Sequence, residues 1–161
     1  MWKYYLLMVF VLVSFIVLQV TVIPALPGFL RYLDLILALT IVVALSQGSL
    51  VGALFALFAG LMRDVATGLG LGVYTVPLFV LGYLVGQFRR VVFRDSIIVP
   101  LITGAAGAAA YYLLMTWFSG LFYAYWLAGR AWLSSFPVIF GNSLLVAILY
   151  AIFSRRPDAR G

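Results

Sequence analysis

Six long apolar segments, at roughly 4–23, 29–46, 48–66, 72–88, 97–118 and 136–153, run through this chain with only short breaks between them. Each comes close to the about 20 residues that a helix needs to cross a bilayer. Hydrophobic residues make up 66% of the 161 positions and charged residues 9%, more apolar surface than a soluble domain can bury. The expectation is an all-α integral membrane protein: one transmembrane domain over residues 1–161, built as a six-helix bundle.

The breaks carry turn chemistry. They are Pro24, Pro27 and Gly28; Ser46, Gln47, Gly48 and Ser49; Gly68, Gly70 and Gly72; and the cluster Arg89, Arg90 and Arg94. The second break is the least marked, and a single crossing by Leu33 to Met62 is the alternative there. The first segment follows Lys3 and continues to Ile23 without a small-residue cleavage site, so it reads as a membrane helix and not a leader.

Six crossings with a cytoplasmic N-terminus put Lys3, Arg89, Arg90, Arg94, Arg155, Arg156 and Arg160 inside and Arg31, Arg63 and Arg130 outside. Cytoplasmic loops of membrane proteins carry the excess of Lys and Arg. The formal charge of +6 therefore reads as topology and lipid-headgroup contact, not nucleic-acid binding. The C-terminus is cytoplasmic in either crossing scheme.

Small or polar residues recur every fourth position at Gly48, Gly52, Ala56, Gly60, Asp64, Gly68 and Gly72, and Gly82 and Gly86 continue the pattern. Residues four apart share a helix face, and in lipid such smooth faces let helix backbones approach closely. Most of these positions read as packing within the chain. Gly104, Gly107 and Ala108, in a run of small residues from Gly104 to Ala110, are the best candidates for contact with another protein or a second copy of this chain.

Charges at the membrane edge need partners, since a charge in lipid costs roughly 3 kcal/mol on insertion scales. Arg31 and Asp34 are three apart and can share a face. Arg63 and Asp64 are adjacent, point about 100° apart on a helix and cannot readily satisfy each other. A cross-pair between the two sets, Asp64 with Arg31 or Asp34 with Arg63, would clamp neighbouring helices; the functional alternative is a proton or cation site. Asn142 reads as an interhelical hydrogen bond or, alternatively, a partner contact, and Gln19 and Thr21 share that ambiguity. Tyr123, Trp126 and Trp132 lie in the longest connection, where amphipathic rings anchor at the headgroup level or form a docking surface. The chain has no Cys or His, and its four acids are Asp34, Asp64, Asp95 and Asp158. No catalytic, metal or cofactor constellation is expected, and the chain reads as a non-enzyme.

The order of these signals resembles the MreD family of rod shape-determining membrane proteins. The residues that carry it are Leu18-Gln19-Val20-Thr21-Val22-Ile23-Pro24, the opening Asp34-Leu35-Ile36-Leu37, Gly48-Ser49-Leu50-Val51-Gly52-Ala53, Ala59-Gly60-Leu61-Met62-Arg63-Asp64, Gly68-Leu69-Gly70-Leu71-Gly72 and Gly82-Tyr83-Leu84-Val85-Gly86. Leu33 stands where the family often has proline, and the last segment matches loosely. The resemblance implies a non-enzymatic inner-membrane component of the bacterial elongation complex. It would bind MreC directly, and through it MreB, RodA and a class B penicillin-binding protein, in organising peptidoglycan synthesis and cell shape. The family fold is similar to the S components of energy-coupling factor transporters. A vitamin-binding S component is therefore the alternative function, although the first segment has only Ser14 among small residues for docking to a transporter scaffold.

Overall fold

The computed structural model describes residues 2–28, 30, 33–68, 70–88, 98–122 and 135–154. Over these residues the chain is all-helical, with α1 at Trp2–Val17, α2 at Leu35–Gln47, α3 at Ser49–Thr67, α4 at Thr75–Gln87, α5 at Ile98–Phe122 and α6 at Ser135–Ser154. A π-helical turn, Leu18–Val22, and a 3-10 turn, Ile23–Ala25, extend α1 toward its proline.

Helix α2 is the centre of the molecule and touches the other five. Residues Ile36 to Val42, with Ala44 and Leu45, are buried all round, as a helix that is apolar on every face should be. Against it pack Leu12 and Ile16 of α1, Phe55, Ala56 and Ala59 of α3, Leu78, Leu81 and Val85 of α4, Ala108 and Tyr111 of α5, and Val146 of α6. The outward faces are apolar too. Leu50 (73%), Val65 (73%) and Phe140 (72%) stand in the open, a pattern that soluble surfaces avoid in contiguous stretches.

Two helices, Ser49–Thr67 and the stretch Ile98–Trp117, are long and apolar enough to cross a membrane. At 13 residues each, α2 and α4 are about 20 Å long at 1.5 Å per residue, short of a hydrocarbon core of about 30 Å. Both start later than the apolar segments imply, at Leu35 rather than near 29 and at Thr75 rather than 72. The reason is polar: Asp34 caps α2, and the backbone from Gly72 to Thr75 is drawn onto the carboxylate of Asp64.

The four-residue stripe is real only on α3. Gly48, Gly68 and Gly72 lie outside the helix with φ of 97°, 67° and 103°. Gly48 alone joins α2 to α3, in a conformation that residues with a Cβ rarely adopt. Gly52, Ala56 and Gly60 form the face on which α4 lies antiparallel. A Cβ on Gly52 would stand 2.6 Å from Ala44 Cβ and 2.9 Å from the Gly82 carbonyl, one on Gly60 would strike the Thr75 backbone, and one on Gly86 would strike Ser49. The smooth surfaces of α3 and α4 are thus used on each other and on α2.

Within the run on α5, Gly104, Gly107 and Ala108 are buried against other helices of the chain, whereas Ala106 is exposed. Gly104 faces Ser143 and Val146 of α6, Gly107 faces Ile41 of α2, and Ala108 is fully buried. Small residues there admit α6 and α2 to the α5 backbone. Ser143 Oγ uses that proximity to donate to the Leu101 carbonyl at 2.6 Å.

Close approach at Gly60 and Gly86 predicts that Gly60→Ala and Gly86→Ala each destabilise by about 1–3 kcal/mol or more, because backbone cannot yield as a side chain does. Gly68→Ala has nothing within 4 Å and should cost only the left-handed penalty, about 1–2 kcal/mol. Thermal unfolding of the detergent-solubilised variants checks the order; equal losses at the three positions would contradict this packing.

Candidate functional site

Polar side chains from four segments, the π-turn that follows α1, the cap of α2, α3 and α6, converge on the start of α2. Asp34 is the hub. Its Oδ1 accepts from the Leu37 amide at 3.0 Å, the usual N-cap bond, and its Oδ2 accepts from Arg63 Nη1 of α3 at 2.5 Å. Its own backbone N–H donates to Asn142 Oδ1 of α6 at 2.8 Å, while Asn142 Nδ2 donates to the Val138 carbonyl at 3.0 Å. Gln19, in the π-turn, brackets the same backbone: Nε2 donates to the Leu33 carbonyl at 3.0 Å and Oε1 accepts from the Leu35 amide at 2.8 Å. The wider turn re-aims Gln19 from the regular helical track, a common use of such insertions.

Asp64 makes a second centre one residue from Arg63. Its Oδ1 accepts from the Tyr74 amide at 2.8 Å; its Oδ2 accepts from the Gly72 amide at 2.7 Å, the Thr75 amide at 3.3 Å and the Thr75 hydroxyl at 2.5 Å. The first amides of a helix have no partner within it, so Asp64 works as a cap for α4 supplied from α3. Gly72 must turn its N–H toward the carboxylate at φ 103°, which favours glycine. Tyr74 then lies over Arg63, its ring centroid 4.1 Å from the guanidinium carbon, a cation–π contact that covers the charge's face.

The arrangement is close to electrically balanced. Two carboxylates sit at the N-termini of α2 and α4, each worth roughly half a positive charge, and Arg63 supplies a full one. The ion pair is nearly enclosed, with side chains 12% and 5% exposed, and Asp64 is 1% exposed. Neutralisation within the cluster is what makes that burial tolerable.

Of the two cross-pairs that the sequence allows, the structure contains Asp34 with Arg63. Among the described residues Asp64 bonds backbone amides and Thr75. Arg31, Tyr123, Trp126 and Trp132 lie outside the described residues. Asn142 is an interhelical bond to the backbone of α2. Leu33 lies against Gly141, where a Cβ would come within 2.8 Å of its Cδ2. Two participants were not legible as such, Tyr74 and Thr75, although Thr75 with Pro77 is a helix-start signal.

Chemically, the cluster joins helices. Both carboxylates have their oxygens engaged by donors. Among the described residues no three of His, Cys, Asp or Glu gather to hold a metal ion. Comparison with models of known protein families, with curated proteins and with solved structures finds no match.

The geometry of Asp64 predicts that Asp64→Asn loses about 1–3 kcal/mol of stability, since an amide NH₂ must face at least one backbone N–H. Asp64→Leu should lose more, because it strands the Gly72, Tyr74 and Thr75 amides together. Thermal melts of the two variants test this; equal loss would place the effect in the charge and not in the hydrogen bonds.

Proposed function

We propose that this chain is a six-helix transmembrane protein of the bacterial inner membrane and a non-enzymatic component of the elongation machinery. It binds an MreC-type partner directly. Through that partner it bears on an MreB filament, a RodA glycosyltransferase and a class B penicillin-binding protein, and so on peptidoglycan synthesis and cell shape. The observation that carries this reading is spatial. The separate sequence pieces that resemble the MreD family contribute Gln19, Asp34, Arg63, Asp64 and Gly72, and these residues form two hydrogen-bonded centres that meet at the adjacent Arg63 and Asp64. Generic membrane patterns have no reason to fall together in this way.

Other features support it. Apolar side chains cover the outward faces of the helices, and the non-helical backbone at Gly72 to Thr75 has its amides met by Asp64, a condition for irregular backbone within a membrane. The short helices α2 and α4 are flanked by the longer ones. An even number of crossings returns the C-terminus to the side of the N-terminus, and seven of the ten basic residues then lie on the cytoplasmic face.

A second reading, a vitamin-binding S component, draws on the convergence of polar groups at one region of the bundle. Against it, Asp34, Asp64, Gln19 and Asn142 commit their polar atoms to the protein itself.

Affinity purification from native membranes through a C-terminal tag separates the two. Recovery of an MreC homologue with wall-synthesis enzymes is the expected result; recovery of paired ATPases with a transporter scaffold would overturn it. A fluorescent protein fused after Gly161 should fluoresce, whereas phosphatase activity from an alkaline phosphatase fused there would contradict the orientation.

A further inference from the structure

Helix α1 runs into five residues, Leu18–Val22, wound as a π-helix. The Ile23 N–H donates to the Leu18 carbonyl, five residues back, where a regular helix would use the Gln19 carbonyl four back. Such a turn carries one residue too many for an α-helix. None of its residues is buried, so apolar packing does not hold it in this form. Its two polar side chains act differently. Thr21 Oγ1 donates to the Val17 carbonyl at 2.5 Å, a bond to the preceding turn that a regular helix offers equally. Gln19 reaches out of the helix, donating to the Leu33 carbonyl at 3.0 Å and accepting from the Leu35 amide at 2.8 Å.

Upstream of the turn, α1 has apolar side chains for either of two faces. Leu12 and Ile16 are buried, whereas Val13 and Val17 are 40% and 54% exposed. Tightening the π-turn to the regular spacing rotates everything before it by about 100°, the step of one residue, and carries positions 13 and 17 to where 12 and 16 now stand. Ser14, the one polar residue from 10 to 17, bonds the Phe10 carbonyl of its own helix and is indifferent to the rotation. The exchange puts valines in place of leucine and isoleucine, a loss of about one methylene at each position, and lipid solvates the displaced side chains as well as the bundle does. A backbone hydrogen-bond ladder with an extra residue has no such compensation in an apolar setting.

We propose that α1 has two registers and that Gln19 selects between them. Bound to the backbone of Leu33 and Leu35, Gln19 holds the π-turn and keeps Leu12 and Ile16 inward; released, it lets the turn close and brings Val13 and Val17 inward. The two residues that it grips flank Asp34, which Arg63 and Asn142 hold. The state of the ion-pair hub is thereby expressed as the face that α1 presents to its surroundings. The balance between the registers rests on the transmembrane reading proposed above, since lipid is the medium that makes the two faces equivalent.

The chain has no Cys, so single nitroxide-bearing cysteines placed in turn at positions 10 to 17 report burial through their collision with oxygen. On the full chain in lipid nanodiscs, oxygen accessibility should have minima at 12 and 16, and in Gln19→Leu these should move by one residue, to 13 and 17. Unmoved minima would overturn the proposal, and so would a profile without minima, in which α1 has left the bundle instead of rotating. Deletion of Val20 from the Gln19→Leu variant removes the extra residue itself and should return the minima to 12 and 16; minima that stay at 13 and 17 would overturn the proposal as well. Failure of the unsubstituted protein to co-elute with lipid would overturn the transmembrane reading and this proposal with it, whereas a fixed register in protein that does co-elute overturns the proposal alone.

Discussion

The ion pair between Asp34 and Arg63 is the contact on which the other features of this molecule depend. It is nearly enclosed and formed by the single carboxylate–guanidinium contact of the described residues. Its value lies less in Coulomb attraction than in what it prevents. Removing either partner leaves an uncompensated charge in an apolar setting, which typically costs 3–5 kcal/mol. Once Asp34 is fixed, its backbone N–H meets Asn142, its side chain caps α2, and Gln19 can close on the residues at either side. Four segments far apart in sequence are thereby brought to one place.

Arg63 and Asp64 divide the work between neighbouring positions of α3. Pointing about 100° apart, one reaches toward α2 and the other toward the start of α4. This explains why α2 and α4 are short: each begins where an aspartate stands ready to cap it. The remainder of the interface is shape. Gly52, Gly60, Gly82 and Gly86 bring α2, α3 and α4 to backbone distance, so polar capping at one end and glycine packing along the helices fix the same register. In a lipid environment, where burying apolar surface gives helices no net attraction, packing and hydrogen bonding are the forces available.

The helical class, the six elements and most of their ends follow from runs of apolar residues, because each helix buries apolar side chains against its neighbours and the polar breaks between the runs mark where it stops. The identities of the hub residues are legible for the same reason: Asp34, Arg63, Asp64 and Asn142 are conspicuous in so apolar a chain. Which aspartate meets which arginine is not, since adjacency of Arg63 and Asp64 fixes directions on a helix but not the neighbours that lie there. The inward turn of Gly104, Gly107 and Ala108 is equally hidden, as small residues permit close approach without stating whether the partner belongs to the same chain. The late starts of α2 and α4 escaped the apolar pattern because capping carboxylates act from outside the segment they terminate; the one at α4 comes from eight to eleven residues upstream.

A double-mutant cycle of Asp34→Asn and Arg63→Met tests the central role of this ion pair most directly. Asparagine keeps the capping oxygen of α2 and methionine keeps the apolar stem of Arg63, so the cycle isolates the charge pair from its other duties. Unfolding free energies of the purified protein should show a coupling of at least about 2 kcal/mol, with the double variant more stable than the sum of the single losses. Additivity within about 0.5 kcal/mol would contradict the account and leave the glycine faces as what holds the helices together.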